Sequence, residues 1–291
     1  MTLPWRYSAL PTRRGASWPN GKKLALWVAV GVESYRPDDG LTEDILPRGA
    51  PPDLVNAAWR DYGNRVGAFR LFDRLARFGI RPTVLLNSDL YDEAPAVLAA
   101  ARLVEAEIVA HGHSNSDSLA GMTPAEETTY VTDVRARIAA EEGSPPGGWS
   151  SPWLAHSPTT LDSLAGAGYQ YLLDLKLDDQ PVWLNTGQGR LLSIPYAAEL
   201  NDSTTMIGRQ TDARTFARMI LDEAEELLDG GGQQPVVMSI VLHSFVSGQP
   251  WRLRALSEAF EKLQSRADEI WYTTPSEIHA AVLADPNLAA E

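Results

Sequence analysis

No cysteine occurs in the 291 residues, which excludes disulfides, thiolate nucleophiles and cysteine zinc sites. Polar chemistry therefore falls to His, Asp and Glu. Basic residues are scarce as well: 25 Lys and Arg stand against 38 Asp and Glu, a net charge of −13. An acidic surface argues against neutralising nucleic-acid phosphates or anionic lipid, so neither nucleic acid nor membrane is an expected partner. A small neutral molecule, or an anion held in a local pocket, is expected instead. Long apolar runs are missing too, since Leu24–Val32 and Pro235–Leu242 fall far short of the roughly 20 residues that cross a bilayer as a helix. The arm Met1–Lys23, rich in Pro, Arg and Trp, holds no signal-peptide core and predicts a cytoplasmic protein. No internal repeat period is visible, which argues against a solenoid.

What is present is an ordinary globular composition, 44% hydrophobic and 22% charged, sufficient for a sizeable core. The length fits one barrel or two small domains. Lys23–Glu33 is a continuous apolar run ending in a polar residue, the pattern of a strand buried on both faces. A loop rich in Pro and Asp follows, in which Asp38-Asp39-Gly40 is ordinary turn chemistry. Val66, Phe69, Phe72, Leu75 and Phe78 then recur at helical spacing until Gly79. Strands are predicted at 81–87, 107–111, 149–153, 169–175, 235–242 and 269–272. Helices are predicted at 93–103, 124–142, 157–167, 213–228, 251–265 and from Pro275.

Repeated strand–helix units imply a mostly parallel sheet with helices outside it, because parallel neighbours need crossover connections. Val182–Ile194 breaks the rhythm as a β-hairpin turning at Thr186–Gly189. The low-complexity stretch Gly230–Gln234 is too short for an interdomain linker. The expectation is an α/β chain with an N-terminal arm, 1–23, and a single barrel-like domain, 24–291, of about seven strand–helix units.

Catalytic groups of such barrels lie where strands end. The predicted strand ends carry Glu33, Asn87, His111, Trp153, Asp174 and His243, and the loops beyond them add His113, Asn115, Asp117, Asp178, Asp179 and Gln180. The hairpin exits into Pro195–Asp202, delivering Glu199, Asn201 and Asp202. His156 and His279 need no more than structural roles.

Read together, these segments resemble the polysaccharide deacetylase (NodB-homology) superfamily over about Leu24 to Val282. The matching pieces are Gly31-Val32-Glu33-Ser34, Ala110–Asn115, Ser150-Ser151-Pro152-Trp153 and Val241-Leu242-His243. The resemblance implies a distorted (β/α) barrel of parallel strands with the inserted β-hairpin. It also implies a metal site in its metal-dependent members, but here that set is depleted. Asn115 stands where the second metal histidine falls, one acidic residue, Glu33, replaces an Asp pair, and Ser150 replaces the groove arginine. Neutral Asn is a poor substitute for imidazole, so no metal is expected. If a divalent ion such as zinc is retained, its ligands are Glu33 and His111 with His113 or Asp117.

The chain looks closer to the allantoinase-like branch, which hydrolyses a cyclic amide and has members that work without metal. The supporting segments are Asp61–Gly67, His111–Asn115, Gly148–Trp153, Asp178–Pro181, Pro195–Asp202, and His243 followed by Gly248–Arg252. Cyclic imide hydrolases and peptidoglycan deacetylases resemble it as well. Amide hydrolysis needs an activated water, oxyanion stabilisation and a proton for the leaving nitrogen. Glu33 is the candidate base and His243 the candidate acid; His111 is expected to orient water or donate to the oxyanion, with Asn115 as a further donor. Arg65 is a candidate clamp for a carbonyl or carboxylate, or a partner of Asp61. Trp153 and Trp183 are candidate pocket walls, and Asp179, Gln180, Glu199, Asn201 and Asp202 candidate ligand contacts. The expected function is hydrolysis of a carbon–nitrogen bond in a small cyclic amide, ureide or imide. The alternatives are a metal-dependent N-deacetylase of a soluble sugar or metabolite, and an inactive binding homologue. Trp5, Tyr7 and Trp18 in the arm suit either packing on the barrel or a homo-oligomer.

Overall fold

The structure, a computed structural model, describes residues 3–230 and 234–290, so most of the Gly230–Gln234 stretch lies outside the described residues. Strand β1, Leu24–Val32, is buried along its whole length, as its unbroken apolar sequence requires of a strand covered on both faces. After it come α1 (Leu54–Tyr62), a π turn at Gly63–Gly67, α2 (Ala68–Arg77), β2 (Pro82–Leu86), α3 (Leu90–Glu93) and α4 (Pro95–Leu103). The middle of the chain forms β3 (Glu107–Ala110), α5 (Pro124–Glu142), β4 (Gly148–Trp149), α6 (Thr160–Ala167), β5 (Tyr171–Leu172), β6 (Val182–Thr186) and β7 (Gly189–Ser193). The last third forms α7 (Ala213–Gly230), β8 (Val236–His243), α8 (Ser244–Ser247), α9 (Pro250–Leu263), β9 (Ile270–Tyr272) and α10 (Pro275–Ala284).

The strands form one curled sheet in the order β6-β7-β5-β4-β3-β2-β1-β8, with β9 beside β1. Every pairing among these strands is parallel except the β6/β7 hairpin. The segment after β7 runs parallel beside β8: Ala197 N–H donates to Ser239 Oγ (2.7 Å) and Val241 N–H to the Leu200 carbonyl (2.9 Å). That contact narrows the open side of the half-barrel and brings residues 201–204 to the end of β8 where His243 sits.

Three differences from the sequence pattern have local causes. The helix predicted from Val66 already begins at Leu54, where Asp53 Oδ1 accepts from Asn56 N–H (3.2 Å) and caps the first turn. Leu54 and Val55 face solvent there, so no apolar stripe marks the turn. The strand predicted at 149–153 stops at Trp149, because Pro152 has no N–H for a ladder and Trp153 is left-handed (φ 60°). The strand predicted at 169–175 shortens to Tyr171–Leu172. By contrast α5 has the predicted bounds, with a capping box between Thr123 and Glu126 at its start.

The arm packs on its own barrel through Trp18, whose buried indole N–H donates to the Val236 carbonyl (2.9 Å) and whose ring lies 5.7 Å from that of Trp271. No helix among the described residues is long and apolar enough to cross a membrane.

Candidate active site

The parallel register sets Gly31 of β1 beside His243 of β8, which carries Glu33 and His243 to neighbouring strand ends. A side chain at position 31 would not fit, because its Cβ would stand 2.9 Å from His243 Cδ2 and 3.1 Å from Glu33 Oε1. Glycine inside an otherwise branched apolar strand is therefore a packing requirement of the site. His111 arrives from the end of β3, across β2. Asn87, just past β2, ties the two sides together: its Oδ1 accepts from Ser34 N–H (2.9 Å) and its Nδ2 donates to the His111 carbonyl. Glu33 Oε1 ends 3.4 Å from His243 Nε2 and 3.8 Å from His111 Nε2. One carboxylate thus sits between two imidazoles, all three buried.

The two imidazoles are held in opposite states. His111 Nδ1 lies 2.8 Å from the Ser150 carbonyl, which only accepts, so Nδ1 carries the proton and Nε2 is bare toward Glu33. Burial pushes its pKa down to about 4, so the ring is neutral at pH 7. His243 meets a carboxylate instead: Nδ1–H donates to Asp202 Oδ1 at 2.6 Å, and the same Asp202 accepts from His243 N–H and Ser247 Oγ–H. Burial opposes the charge on His243, but Glu33, Asp202 and Glu43 together outweigh it and raise its pKa to about 10. Burial raises Glu33 to about 7 even though His243 and the Tyr35 hydroxyl, which donates to Oε2 at 2.5 Å, pull the other way. That places a base near neutrality beside a protonated acid.

These three groups open into a cavity of about 150 Å³. Leu85, Asn115, Ser151, Tyr196, Asn201 and Ser203 contribute to its lining, and Trp153, 40% exposed, forms the rim while donating through Nε1 to the Asn115 carbonyl (2.7 Å). A surface cleft of about 490 Å³ lies at the other end of the sheet, beside Glu107, Tyr171 and His279. Glu107 there is engaged by the Tyr171 hydroxyl and by the first turn of α10 through Ser276 N–H (3.1 Å). The smaller cavity has the convergent chemistry.

Several expected contacts are corrected. Arg65 is 75% exposed and paired with Asp61, so it clamps nothing in the cavity. Within Asp61–Gly67 the positioning residue is Asn64, whose Nδ2 donates to the Glu33 carbonyl (2.8 Å). Gly63 and Gly67 let that turn press against Ser244 and Phe245, where a Cβ on either would collide. Asp179 and Gln180 lie at the opposite end of β8 from His243: the Asp179 carbonyl accepts from Val237 N–H (2.7 Å) and Gln180 Nε2 donates to the Pro235 carbonyl (2.9 Å). Glu199 is 70% exposed and pairs with Arg209 (3.0 Å). Asp202 reaches no ligand space, being fully used in holding His243. Asn201, unlike these, is brought to the cavity lining, with its Oδ1 accepting from Ser203 N–H (3.0 Å). Trp183 lies under the Arg190 guanidinium and meets His279 edge-on, away from the site.

Two assigned roles change as well. Neutral His111, its proton on Nδ1, cannot donate to an oxyanion; it accepts. Both Nδ2 hydrogens of Asn115 are committed, to Glu33 Oε2 (3.1 Å) and to the Tyr35 hydroxyl (2.7 Å), while its buried Oδ1 has no partner. Tyr35 and Glu43 were not legible as site residues. Tyr35 lies two residues beyond Glu33 and extending the strand-end rule by that much finds it; Glu43 belongs to an irregular loop with no periodic signal.

The donor set does not fit zinc. Three good nitrogen or oxygen ligands are wanted, and the cavity offers Glu33 and neutral His111 beside an imidazole held protonated. His113 is engaged by Ser88 (2.7 Å), and Asp117 by Arg36, the Tyr130 hydroxyl (2.7 Å) and Ser114 N–H (3.2 Å). Among the described residues no group of three or more His, Asp or Glu is arranged to hold a metal ion.

A curled parallel half-barrel with a carboxylate–histidine site at its strand ends defines the class as the NodB-like (β/α) barrel. No family model matches the chain. It is 25% identical to a putative polysaccharide deacetylase of Schizosaccharomyces pombe, over 91% of each chain. The crystal structure of a probable polysaccharide deacetylase from Pseudomonas aeruginosa PAO1 superposes with a TM-score of 0.82 at 24% identity, covering 92% of this chain and 93% of that one. The crystal structure of PuuE allantoinase gives 0.83 at 23% identity with the same coverage. These neighbours point to the polysaccharide deacetylase superfamily, with an allantoinase structure among them.

Proposed function

We propose that the chain is a hydrolase of a carbon–nitrogen bond in a small cyclic amide, ureide or imide, and that it works without a metal ion. The observation that carries this reading is the placement of Glu33 between a neutral and a cationic imidazole in a cavity of about 150 Å³. A hollow of about that volume holds a single benzene-sized ring, and ordinary ligand clefts begin near 300 Å³, so a ring suits it better than a sugar polymer. The deacetylase and allantoinase relatives support hydrolysis at carbon–nitrogen bonds.

In the proposed reaction Glu33 takes a proton from water while His111 Nε2 accepts that water's second hydrogen and aims its oxygen. The oxygen bonds to the ring carbonyl carbon, and the positive His243 Nε2–H faces the oxyanion that forms. The carbon–nitrogen bond then breaks as His243 gives its Nε2 proton to the leaving nitrogen. Glu33 returns the water's proton to His243 across 3.4 Å, restoring the ion pair.

A panel of hydantoin, dihydrouracil, succinimide and allantoin, assayed after exhaustive chelation, tests this. The expected result is chelator-insensitive opening of at least one ring, lowered about 10²- to 10⁴-fold in a Glu33→Gln variant. Metal-dependent removal of acetyl groups with no ring opening would replace the proposal with the N-deacetylase reading. Binding without turnover of any amide would leave a receptor.

A further inference from the structure

The loop between β1 and α1 brings a second carboxylate into the cavity. Glu43 lines it, half-buried, with Oε1 accepting from Ser203 Oγ–H at 2.5 Å. The loop is fixed at both ends of this contact. Leu41 N–H donates to the Ser116 carbonyl (3.0 Å), and buried Arg60 of α1 donates to the Glu43 carbonyl (2.9 Å) and to Asp44 Oδ1 (2.6 Å) while covering the Tyr35 ring. Burial raises the pKa of Glu43, and the positive charge on His243 is the chief influence opposing that rise. None of the three proton transfers in the proposed reaction passes through this group.

We propose that Glu43 is the residue that sets substrate charge: its free carboxylate oxygen accepts an N–H of a neutral ring and turns away rings that carry a negative charge. The inference rests on the ring-hydrolase reading and narrows its substrate class to neutral, N–H-bearing rings. Two features support it. The cavity is bounded by Glu33 and Glu43 with Asp202 directly behind His243, against one cationic imidazole. No Lys or Arg among the described residues lines it, and Arg60, which supports the loop, bonds Asp44 and the Glu43 carbonyl. Acceptors facing a ligand favour N–H donors, and uncompensated negative charge in a partly desolvated site penalises a carboxylate ligand.

The experiment measures calorimetric affinity, on the full chain, for hydantoin and for hydantoin-5-acetate at pH 7, with wild type, Glu43→Gln and Glu43→Asp. Wild type is expected to prefer the neutral ring by about tenfold or more, and Glu43→Gln to shrink that preference about tenfold by improving binding of the anion. Glu43→Asp, which keeps the charge, is expected to retain most of the preference. Circular dichroism and melting confirm that each variant is folded; if Glu43→Gln is not, Ser203→Ala, which frees the carboxylate without removing it, is expected to keep the preference for the neutral ring, and its loss would count against the proposal. An unchanged neutral-to-anion ratio in Glu43→Gln overturns it. Because the readout is binding, wild type that binds hydantoin selectively but opens no ring would sink the hydrolase reading and leave the Glu43 assignment standing.

Discussion

On the β3 side of the cavity a histidine faces a backbone carbonyl and is held neutral; on the β8 side a second histidine faces a buried aspartate and is held charged. The side chains are chemically identical, both buried, and both within 4 Å of the same glutamate. What separates their proton affinities, about 4 against about 10, is the partner at Nδ1 and the local count of carboxylates. Desolvation alone drives an imidazole neutral, as at His111. Reversing it at His243 takes Asp202, Glu33 and Glu43 acting on one ring. The division of labour between acceptor and acid is thus set by what surrounds each ring, a backbone carbonyl at His111 and three carboxylates at His243.

The most damaging way to break this asymmetry is Asp202→Asn, which keeps the shape but removes the charge and misdirects the tautomer. A loss in kcat of about 10²- to 10⁴-fold is expected, with the alkaline limb of the pH–rate profile moving down from about 10 toward the ordinary histidine range. In wild type, activity should rise with pH through about 7 as Glu33 loses its proton, and fall through about 10 as His243 loses the proton it must donate. A profile without an acid limb near 7 would remove Glu33 as base.

Gly31→Ala is expected to have the next largest effect. The new methyl must displace the His243 ring or Glu33, costing about 1–3 kcal/mol of stability and lowering kcat, as thermal melts and steady-state rates would report. Native stability together with native kcat would show that the approach of the two strands is not needed. Arg65→Ala and Glu199→Ala should change least, within about 0.5 kcal/mol in either stability or transition-state binding, since both side chains stand in solvent. A tenfold rise in KM in either would return it to the site.

The sequence pattern revealed the parts of this arrangement that follow from backbone periodicity. An apolar run buried on both faces ends one residue short of Glu33, and another ends on His243, so the strand-end rule finds both. It finds His111 for the same reason. What it could not distinguish was which way a polar residue near a strand end faces. Arg65, Asp179 and Glu199 belong to motif-like segments, yet the motifs serve close packing through Gly63 and Gly67, backbone support through Asn64, and closure of the barrel along β8. Asp202 was visible as a polar residue, but its role was not, because the partner is 41 residues away at the end of a different strand. Glu43 left no local trace: its position depends on Arg60 and Ser203, contacts that no spacing in a proline-rich loop encodes.

Isotope-edited NMR of the five histidine rings, followed from pH 4 to pH 10 on the full chain, tests the central claim most directly. The account predicts one ring that stays neutral with its proton on Nδ1 down to about pH 4, lost as a signal in His111→Gln, and one that stays doubly protonated well above pH 8, lost in His243→Gln. Both rings titrating together near pH 6.5 would contradict it.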